Sequence, residues 1–437
     1  MTEGKQFRAI RGTRDILPPD SALWNWLERI AREAFEVYSF REIRTPILEQ
    51  TDLFARAVGA DTDIVGKEMF TFPERRESPE RSQDSSDSAP EDLVTLRPEA
   101  TASVVRAYIE HGMQGLAGSQ KLYYVGPMFR RERPQKGRYR QFYQIGAEVL
   151  GPSDAPAIDA EVIEMLMVLF GRVGLTRTTL YINSIGCREC RPQYVEKLRE
   201  KLREVKERLG ADSQRRIETN PLRVLDSKLP EEQEIIAGLP RISDHLCEGC
   251  RAHFAKLKEE LGLRGIAYQE NWRLVRGLDY YTRTTFEVTA EGLGSQNAVC
   301  GGGRYDGLVE LLGGPPAKGI GFAIGTDRAI LSIQESGNLP KLRGLDVFVA
   351  WMGPKCYLAA VGIARKLRDA GFSVELPGEE MKFKKSLGLA DKLGARYALI
   401  LGEDEVASGT FTLKRLADAE QRRLTETELL GHLRSGE

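Results

Sequence analysis

The sequence predicts a mixed α/β protein that consists of a large N-terminal part and a small C-terminal α/β domain. Two strand-like stretches, 121–129 and 141–150, are joined by a cation-rich loop, and a capped helix pattern follows from Pro156. After residue 345, short apolar runs alternate with helical patterns, as is typical of an α/β domain. We therefore expect three regions: a large domain at 1–330, a linker at 331–344 and a small domain at 345–437.

The large part begins with a helix pattern. Asp20 and Ser21 are favourable capping residues, and apolar side chains follow at helical spacing. The next segment, 41–54, is mixed, because Pro46 interrupts a potential strand. The segment 75–92 holds almost no aliphatic side chain and predicts a mobile surface loop.

A second helical region lies further along the chain, at 187–260, and looks like an inserted unit. A narrow apolar stripe begins after Pro192 and is stopped by Gly210, which is a frequent helix terminator. After this unit we expect strands and a glycine-rich turn between Trp272 and Gly303.

The small domain shows the alternation of elements most clearly. Its apolar runs and amphipathic stretches predict four strands and three helices. The strands are expected at 345–351, 372–376, 397–401 and 409–416, and the helices at 357–367, at 384–393 and from about Thr425.

Bulk properties exclude several classes of protein. A formal net charge of −1 argues against a protein that coats nucleic acid non-specifically, although local basic patches remain compatible with a nucleic-acid partner. No apolar run reaches the length of a membrane span, and the polar start lacks the apolar core of a secretory signal. Six cysteines are too few for a disulfide scaffold in a chain of 437 residues, so a cytoplasmic protein is expected.

Two common nucleotide-binding motifs are absent from the sequence, and a third match is incomplete. Gly66 and Lys67 are followed by Glu68, which excludes a P-loop, and the glycines at 301–303 do not fit the dinucleotide fingerprint. The cluster at 382–386 faintly resembles the lysine loop of class I synthetases but has no partner motif, so we interpret it as a basic helix start. Any nucleotide site must therefore use another design.

The strongest local signal is a cationic hairpin at 125–151. Its loop concentrates Arg131, Arg133, Lys136, Arg138 and Arg140 beside the aromatic residues Tyr139, Phe142 and Tyr143. Cations next to aromatic rings suit phosphate contacts and base stacking. A solvated charged hairpin is the alternative interpretation, and this segment alone does not decide between them.

Seven segments together resemble, in the expected order, the motifs of class II aminoacyl-tRNA synthetases in the form found in histidyl-tRNA synthetases. They are the N-terminal signature at 11–15, motif 1 at 41–54, the amino-acid loop at 95–101, motif 2 at 125–151, the histidine-specific motif at 276–282, its companion at 302–306 and motif 3 at 319–328. Two departures stand out: Asp327 replaces the Glu of motif 3, and 75–92 looks like an insertion.

The resemblance implies a class II catalytic domain at 1–330, which is an antiparallel sheet with flanking helices, an inserted helical unit, and an anticodon-binding domain at 345–437. It implies ATP-dependent activation of L-histidine and its transfer to tRNA(His), with Mg²⁺ on the phosphates. It also implies a homodimer, because motif 1 packs across a two-fold axis in this family. No membrane partner is expected.

Residue roles follow from matching the motifs position by position. Activation brings the histidine carboxylate up to the α-phosphate of ATP, and these two anions repel each other unless cations stabilise them. The resemblance assigns that catalytic role to Arg130 and Arg276. Histidine-binding residues would be Glu99, Thr101, Gln144, Glu148, Arg276, Tyr280, Tyr281 and Tyr305, with Glu148 and Tyr281 at the imidazole and Glu99, Thr101 and Gln144 at the α-amino group. ATP-binding residues would be Arg130, Glu132, Arg138, Phe142 and Arg328, and tRNA-binding residues would be Gln135, Lys136 and Arg140.

The cysteines pose a separate question. Cys187, Cys190, Cys247 and Cys250 form two C-x-x-C pairs that bound the inserted unit. Two such pairs can present four thiolates to a structural Zn²⁺, although their separation exceeds the usual finger spacing and reduced surface thiols are the alternative. Cys300 and Cys356 are expected to be packing residues.

Two other functions stay open at this point. One is a histidine-binding regulatory paralogue of the ATP phosphoribosyltransferase complex, which typically lacks the histidine-specific motif and the C-terminal domain. The other is a tRNA-binding module, which would leave Glu99, Glu148 and Arg276 without a purpose.

Overall fold

The computed structural model describes residues 7–59, 62–74, 93–292, 297–337 and 339–435. The chain divides into two compact units, Met1–Pro340 and Lys341–Glu437. The predicted loop at 75–92 lies outside the described residues. No helix among the described residues is long and apolar enough to cross a membrane.

The first unit contains ten α-helices and eleven strands within its described residues. The helices are α1 (Asp20–Val37), α2 (Thr51–Val58), α3 (Thr101–Glu110), α4 (Pro156–Arg172), α5 (Arg191–Glu204), α6 (Ala211–Thr219), α7 (Gln233–Ala237), α8 (Glu248–Leu263), α9 (Leu308–Leu311) and α10 (Thr326–Ser336). The strands are β1 (Arg41–Glu42), β2 (Leu48–Gln50), β3 (Phe70–Pro73), β4 (Leu93–Leu96), β5 (Gln120–Phe129), β6 (Gln141–Gly151), β7 (Thr178–Ser184), β8 (Gln269–Glu270), β9 (Thr282–Ala290), β10 (Ala298–Arg304) and β11 (Lys318–Gly325).

An eight-stranded sheet in the order β1-β5-β6-β11-β10-β9-β7-β8 forms the centre of this unit. The pairs from β5 to β7 are antiparallel, and only the short edge strands β1 and β8 pair in parallel. The predicted cationic hairpin is the β5–β6 pair. The mixed α/β fold and the mainly antiparallel sheet are therefore confirmed.

Helix α1 covers one face of the sheet. The expected apolar stripe is present, since Leu23, Leu27 and Ala31 are buried. Phe35 stacks on Tyr123 of β5 with ring centroids 4.7 Å apart, which fixes the helix on the sheet. The capping prediction was wrong in detail: α1 begins at Asp20, its N-cap is Pro19, and no side chain caps it.

A small second sheet in the order β2-β4-β3 contains part of the mixed segment 41–54. Pro46 precedes β2, and α2 begins directly after it at Thr51, so the segment divides between two short strands and a helix start. Four large apolar side chains are exposed on or beside this sheet: Ile47, Leu48, Phe72 and Leu93. The sheet thus presents apolar surface that the described part of the chain leaves uncovered.

The segment predicted as an inserted helical unit contains α5 to α8 and no strand among its described residues. The predicted stripe contributes Leu198 and Leu202 to the buried core. Helix α5 ends at Glu204, earlier than Gly210 suggested, because a tighter helical turn, Lys206–Arg208, follows it.

A turn with a positive φ at Gly292 follows β9, and the next residues, 293–296, lie outside the described part of the chain. Gly301, Gly302 and Gly303 lie within β10, which pairs with β9 on one side and β11 on the other. Glycine usually signals a turn, but it also occurs in strands where another group approaches the backbone closely. The side chains that require this space are described with the site below.

The second unit has a five-stranded sheet in the order β13-β12-β14-β15-β16. Its elements are β12 (Val347–Trp351), α11 (Cys356–Asp369), β13 (Val374–Glu375), α12 (Phe383–Lys392), β14 (Tyr397–Leu401), α13 (Glu403–Ser408), β15 (Thr410–Arg415), β16 (Gln421–Thr425) and α14 (Glu426–Ser435). All four predicted strands and three predicted helices are present. Sequence analysis missed α13, which is short, and β16, whose charged sequence shows no alternation because it is an exposed edge strand.

Candidate active site

A cavity of about 620 Å³ opens in the first unit above strands β6, β9, β10 and β11. All residues that were expected to bind histidine or ATP line it. They are Glu99, Thr101, Arg130, Glu132, Arg138, Phe142, Gln144, Glu148, Arg276, Tyr280, Tyr281, Tyr305 and Arg328. Segments that are far apart in the sequence therefore form one site.

Glu148 lies at the inner end of the cavity and is 1% exposed. Its carboxylate accepts hydrogen bonds of 2.7 Å from the Thr101 hydroxyl and of 2.7 Å from the Tyr305 hydroxyl. Burial raises the pKa of Glu148 to about 8, although both hydroxyls act against this rise. A Cβ on Gly321, opposite it on β11, would overlap this carboxylate, so the glycine is required for the close approach.

Glu99 is buried beside Glu148 and caps the start of α3. It accepts hydrogen bonds from the backbone N–H of Thr101 at 2.8 Å and of Ala102 at 2.9 Å. Burial raises the pKa of Glu99 despite these donors. Gln144 adds a buried side-chain oxygen that has no hydrogen-bond partner among the described residues. This end of the cavity is therefore rich in acceptors.

Three tyrosines form the wall next to Glu148. The ring centroids of Tyr280 and Tyr281 lie 4.7 Å apart, and those of Tyr280 and Tyr305 lie 5.8 Å apart. Burial raises the pKa of Tyr281 to about 12, so its hydroxyl stays protonated at neutral pH. The wall supplies apolar ring surface together with neutral hydroxyl groups.

A buried ion pair fixes the position of Tyr305. The preceding residue, Arg304, is 1% exposed and is paired with Asp159 of α4 and with Asp306, the latter at 3.0 Å. Tyr305 also donates its backbone N–H to the Gly319 carbonyl at 2.8 Å. The end of β10 is thus held on both sides, and the Tyr305 hydroxyl is directed at Glu148.

Arg276 also lines the cavity, and its guanidinium donates to Glu287 of β9 at 2.7 Å. The Nε atom of Arg276 is buried and has no partner among the described residues. A Cβ on Gly301 of β10 would overlap the guanidinium, which explains why glycine occurs within this strand. Sequence analysis missed Glu287, although one charged residue in the apolar strand TTFEVTA was a usable signal.

The outer end of the cavity is cationic. Arg130 donates to the Pro98 carbonyl at 2.9 Å, and its guanidinium lies over the Phe142 ring at 5.2 Å. The Glu132 carboxylate forms ion pairs with two guanidinium groups: its Oε2 lies 3.2 Å from Nη1 of Arg138 and its Oε1 lies 3.8 Å from Nη1 of Arg130. Arg328 donates to the Ala298 carbonyl at 2.8 Å, and burial followed by the charge of Arg138 lowers its pKa. This end suits a polyanion.

Asp327, where the family motif carries Glu, is buried next to this cationic end. It accepts from the Arg14 guanidinium at 2.8 Å and from the backbone N–H of Tyr143 at 3.2 Å. Arg14 in turn lies over the Tyr139 ring at 4.6 Å. The shorter carboxylate therefore joins the N-terminal signature to the β5–β6 hairpin and to α10.

The residues expected to bind tRNA lie outside the cavity and separate into two groups. Gln135 and Lys136 are exposed at the tip of the hairpin, where Lys136 is 3.3 Å from Glu335. Arg140 is half-buried and is hydrogen-bonded to the N-terminal segment. Its backbone N–H donates to the Gly12 carbonyl at 2.7 Å, and its guanidinium donates to the Arg11 carbonyl at 3.3 Å. Arg140 thus has a structural contact that its motif position did not reveal.

The four paired cysteines come together at the base of the inserted unit, away from the cavity lining. Their sulfur atoms all lie within 4.8 Å of one another, and all four are free thiols. Neighbouring sulfurs are 3.7 Å (Cys187–Cys190), 3.8 Å (Cys187–Cys247) and 3.9 Å (Cys190–Cys250) apart. Cys300 in β10 and Cys356 in α11 are both buried: Cys356 packs in the core of the second unit, as expected, whereas Cys300 lines the cavity.

Comparisons with known proteins agree with this geometry. The family model for histidyl-tRNA synthetase matches residues 12–329, and the model for an anticodon binding domain matches residues 346–435. A histidine–tRNA ligase from Koribacter versatilis is 54% identical over 98% of this chain and 96% of its own length, and one from Solibacter usitatus is 53% identical over 98% of each. The crystal structure of apo S. aureus histidyl-tRNA synthetase superposes with a TM-score of 0.78 at 37% identity, covering 98% of this chain and 100% of that one. The chain therefore belongs to the histidyl-tRNA synthetase family.

Proposed function

We propose that this chain uses ATP to activate L-histidine as histidyl-adenylate and then transfers the histidyl group to the 3′ end of tRNA(His). The observation that carries the proposal is the polarity of one cavity, with buried acceptors at its inner end and arginines at its outer end. Histidine offers N–H donors to the inner end, and ATP offers phosphates to the outer end.

The inner end offers partners for the imidazole and for the α-ammonium group of histidine. Glu148 and the Tyr281 hydroxyl would bind the imidazole, and Tyr280 and Tyr305 would complete the pocket wall. Glu99 and Gln144 would receive the α-ammonium. Thr101, expected at the same place, already donates its hydroxyl to Glu148. Its contribution is thus to orient that carboxylate.

Activation requires the histidine carboxylate to attack the α-phosphorus of ATP while pyrophosphate leaves. Arg130 and Arg276 would stabilise the charge that develops on the α-phosphate, because a guanidinium keeps its charge and presents a planar set of donors. Phe142 would stack on the adenine, and Arg138 and Arg328 would bind the outer phosphates. Mg²⁺, carried mainly by ATP, would neutralise the phosphate charge together with them.

Glu132 has a distinct role in this arrangement. In the free site its carboxylate neutralises Arg130 and Arg138. Phosphate oxygens would replace it when ATP binds, so the cations are held in place before the ligand arrives. The outer end is therefore organised in advance of binding.

We also propose that the exposed tip of the hairpin, with Gln135 and Lys136, contacts the acceptor end of tRNA(His), with Arg140 supporting the tip from below. The second unit would bind the anticodon, which agrees with the anticodon binding domain model at 346–435. Cationic side chains at these two places would contact the phosphates of the tRNA, and such contacts fix the position and orientation of a protein on a nucleic acid.

A homodimer is the proposed assembly. The β2-β4-β3 sheet belongs to the region that resembles motif 1, and it exposes Ile47, Leu48, Phe72 and Leu93. Exposed apolar side chains on a small sheet of this kind are typical of an interface with another copy of the chain.

Zn²⁺ is the proposed occupant of the cysteine cluster, in a structural role. Four thiolates at about 2.3 Å from a tetrahedral zinc lie roughly 3.8 Å from each other. Three of the six sulfur–sulfur separations, at 3.7, 3.8 and 3.9 Å, fit this arrangement, and all six lie within 4.8 Å. Thiols that hold zinc must stay reduced, so we place the protein in the cytoplasm.

The function is tested by ATP–pyrophosphate exchange with the full chain. We expect exchange that depends on L-histidine, followed by esterification of tRNA(His) when the tRNA is supplied. A regulatory paralogue would bind histidine without exchange, and a tRNA-binding module would show neither reaction. Either of those results would contradict the proposal.

Replacing Arg276 separates its catalytic role from a structural one. Arg276→Ala should lower the kcat of exchange roughly a hundredfold or more, with the KM for ATP changed little, because the cation acts on charge that grows in the transition state. Glu287→Gln is the matched control, since it removes the partner carboxylate and keeps the cation. Equal losses in the two variants would identify the pair as structural and reject a catalytic Arg276.

The affinity for histidine should rise with pH up to about 8. The pKa of Glu148 in the free site is about 8, so its carboxyl is mostly protonated at pH 7, whereas binding an imidazole N–H favours the ionised form. Binding therefore releases a proton, and affinity should increase by up to about tenfold per pH unit between roughly 6.5 and 8. Calorimetric titrations across this range measure it. Glu148→Gln should bind weakly and without this slope, and a flat profile for the unmodified chain would contradict the assignment.

The assembly is tested by analytical ultracentrifugation. Leu48→Asp should convert the dimer to a monomer, because a buried carboxylate without a partner opposes association. Leu263→Asp changes an equally apolar residue that is 74% exposed at the end of α8 and should leave the dimer intact. An unmodified chain that sediments as an active monomer would exclude the proposed interface.

A further inference from the structure

The cysteine cluster is linked to the histidine pocket through backbone pairing. The two residues before Cys187 are hydrogen-bonded to the residues after Tyr281. Ile185 donates its N–H to the Arg283 carbonyl at 2.8 Å, and Arg283 donates its N–H to Gly186 at 2.8 Å. The Thr282 hydroxyl also donates to the Gly186 carbonyl at 3.2 Å. A shift of the cysteine loop would therefore act on the segment that carries Tyr281.

Arg191 makes the most direct connection. It follows Cys190 and begins α5, and its backbone N–H donates to the Cys187 carbonyl at 3.0 Å. Its guanidinium donates to the backbone carbonyl of Tyr281 at 2.6 Å. One residue thus contacts the cysteine loop with its main chain and the pocket with its side chain.

The cluster is built to hold a cation. Cys190 and Cys250 are 7% and 1% exposed, so their sulfurs lie in the protein interior. Cys187 donates its backbone N–H to the Cys190 sulfur at 3.3 Å. Cys190 and Cys247 each directly precede a helix, α5 and α8, where the helix dipole favours a thiolate. Four thiolates this close repel one another unless a metal neutralises them.

We infer that metal in this cluster sets the affinity for histidine, because it fixes the start of α5 and so holds Arg191 on the Tyr281 carbonyl. This inference rests on the proposed histidine and zinc sites. Arg191 is a positioning residue: it touches neither substrate group but holds the main chain of a residue that does. The outer, phosphate-binding end of the cavity has no such link among the described residues.

The first measurement is the metal content of the full chain, read before any ligand is added. We expect one zinc per chain after purification. Removal of zinc by a chelator should weaken histidine binding, measured by calorimetry, about tenfold or more, while ATP affinity stays within about twofold. Added zinc should restore the affinity, and added magnesium should not.

A variant that keeps the cluster tests the link itself. Arg191→Met keeps the aliphatic part of the side chain but removes the donors, so it should bind one zinc and still lose about tenfold in histidine affinity, the size expected for one charge-assisted hydrogen bond. Arg203→Met is the matched control on the same helix, where Arg203 makes an exposed pair with Glu218. It should bind histidine normally.

Three outcomes would overturn the inference. They are a metal-free chain with four titratable thiols and normal histidine affinity, a disulfide within the cluster in the active chain, and equal losses of histidine and ATP affinity in Arg191→Met. Absence of histidine-dependent exchange in the unmodified, zinc-bound chain would instead contradict the proposed function. The two failures are distinguishable because metal content and histidine binding are measured without catalysis.

Discussion

The site depends on a carboxylate that is buried in the middle of a sheet. Removing Glu148 from water is costly unless its oxygens receive hydrogen bonds or a charge partner. Its oxygens accept from two neutral hydroxyls, of Thr101 and Tyr305, and no cation pairs with it in the part of the chain that the structure describes. The remaining electrostatic demand can be met by a ligand that brings its own N–H groups. Helix α3, the end of β10 and the glycine of β11 are all placed to maintain this arrangement.

The outer end of the cavity carries excess positive charge. Part of this charge is neutralised within the protein, because the Glu132 carboxylate pairs with Arg130 and with Arg138. Arg276 and Glu287 form a second balanced pair between the two ends. One cavity therefore contains hydrogen-bond acceptors around Glu148, the paired cation Arg276, and the arginines of the outer end. This order matches a molecule with N–H donors at one end that must react with a phosphate at the other.

Sequence analysis recovered the parts of the structure that depend on local pattern, and it failed where tertiary contacts decide. The β5–β6 hairpin and α4 were visible because apolar spacing and a proline at the start of a helix are local signals, although no side chain caps α4. The reason for Gly301 was not visible in the sequence, because this glycine makes room for Arg276 from a distant segment. Motif resemblance identified the residues that line the cavity, but it could not show that Thr101 orients Glu148 or that Arg140 supports the N-terminal segment.

The glycines in β10 and β11 also bear on how the sheet forms. Glycine has low strand propensity and contributes no side chain to the core, so these two strands have little tendency to become ordered alone. Their space is filled by side chains from elsewhere, namely Glu148 of β6 and Arg276. The order of β10 and β11 therefore depends on side chains contributed by other segments of the chain. A substitution that removes one of those side chains would leave a gap beside a glycine, which has no side chain to fill it.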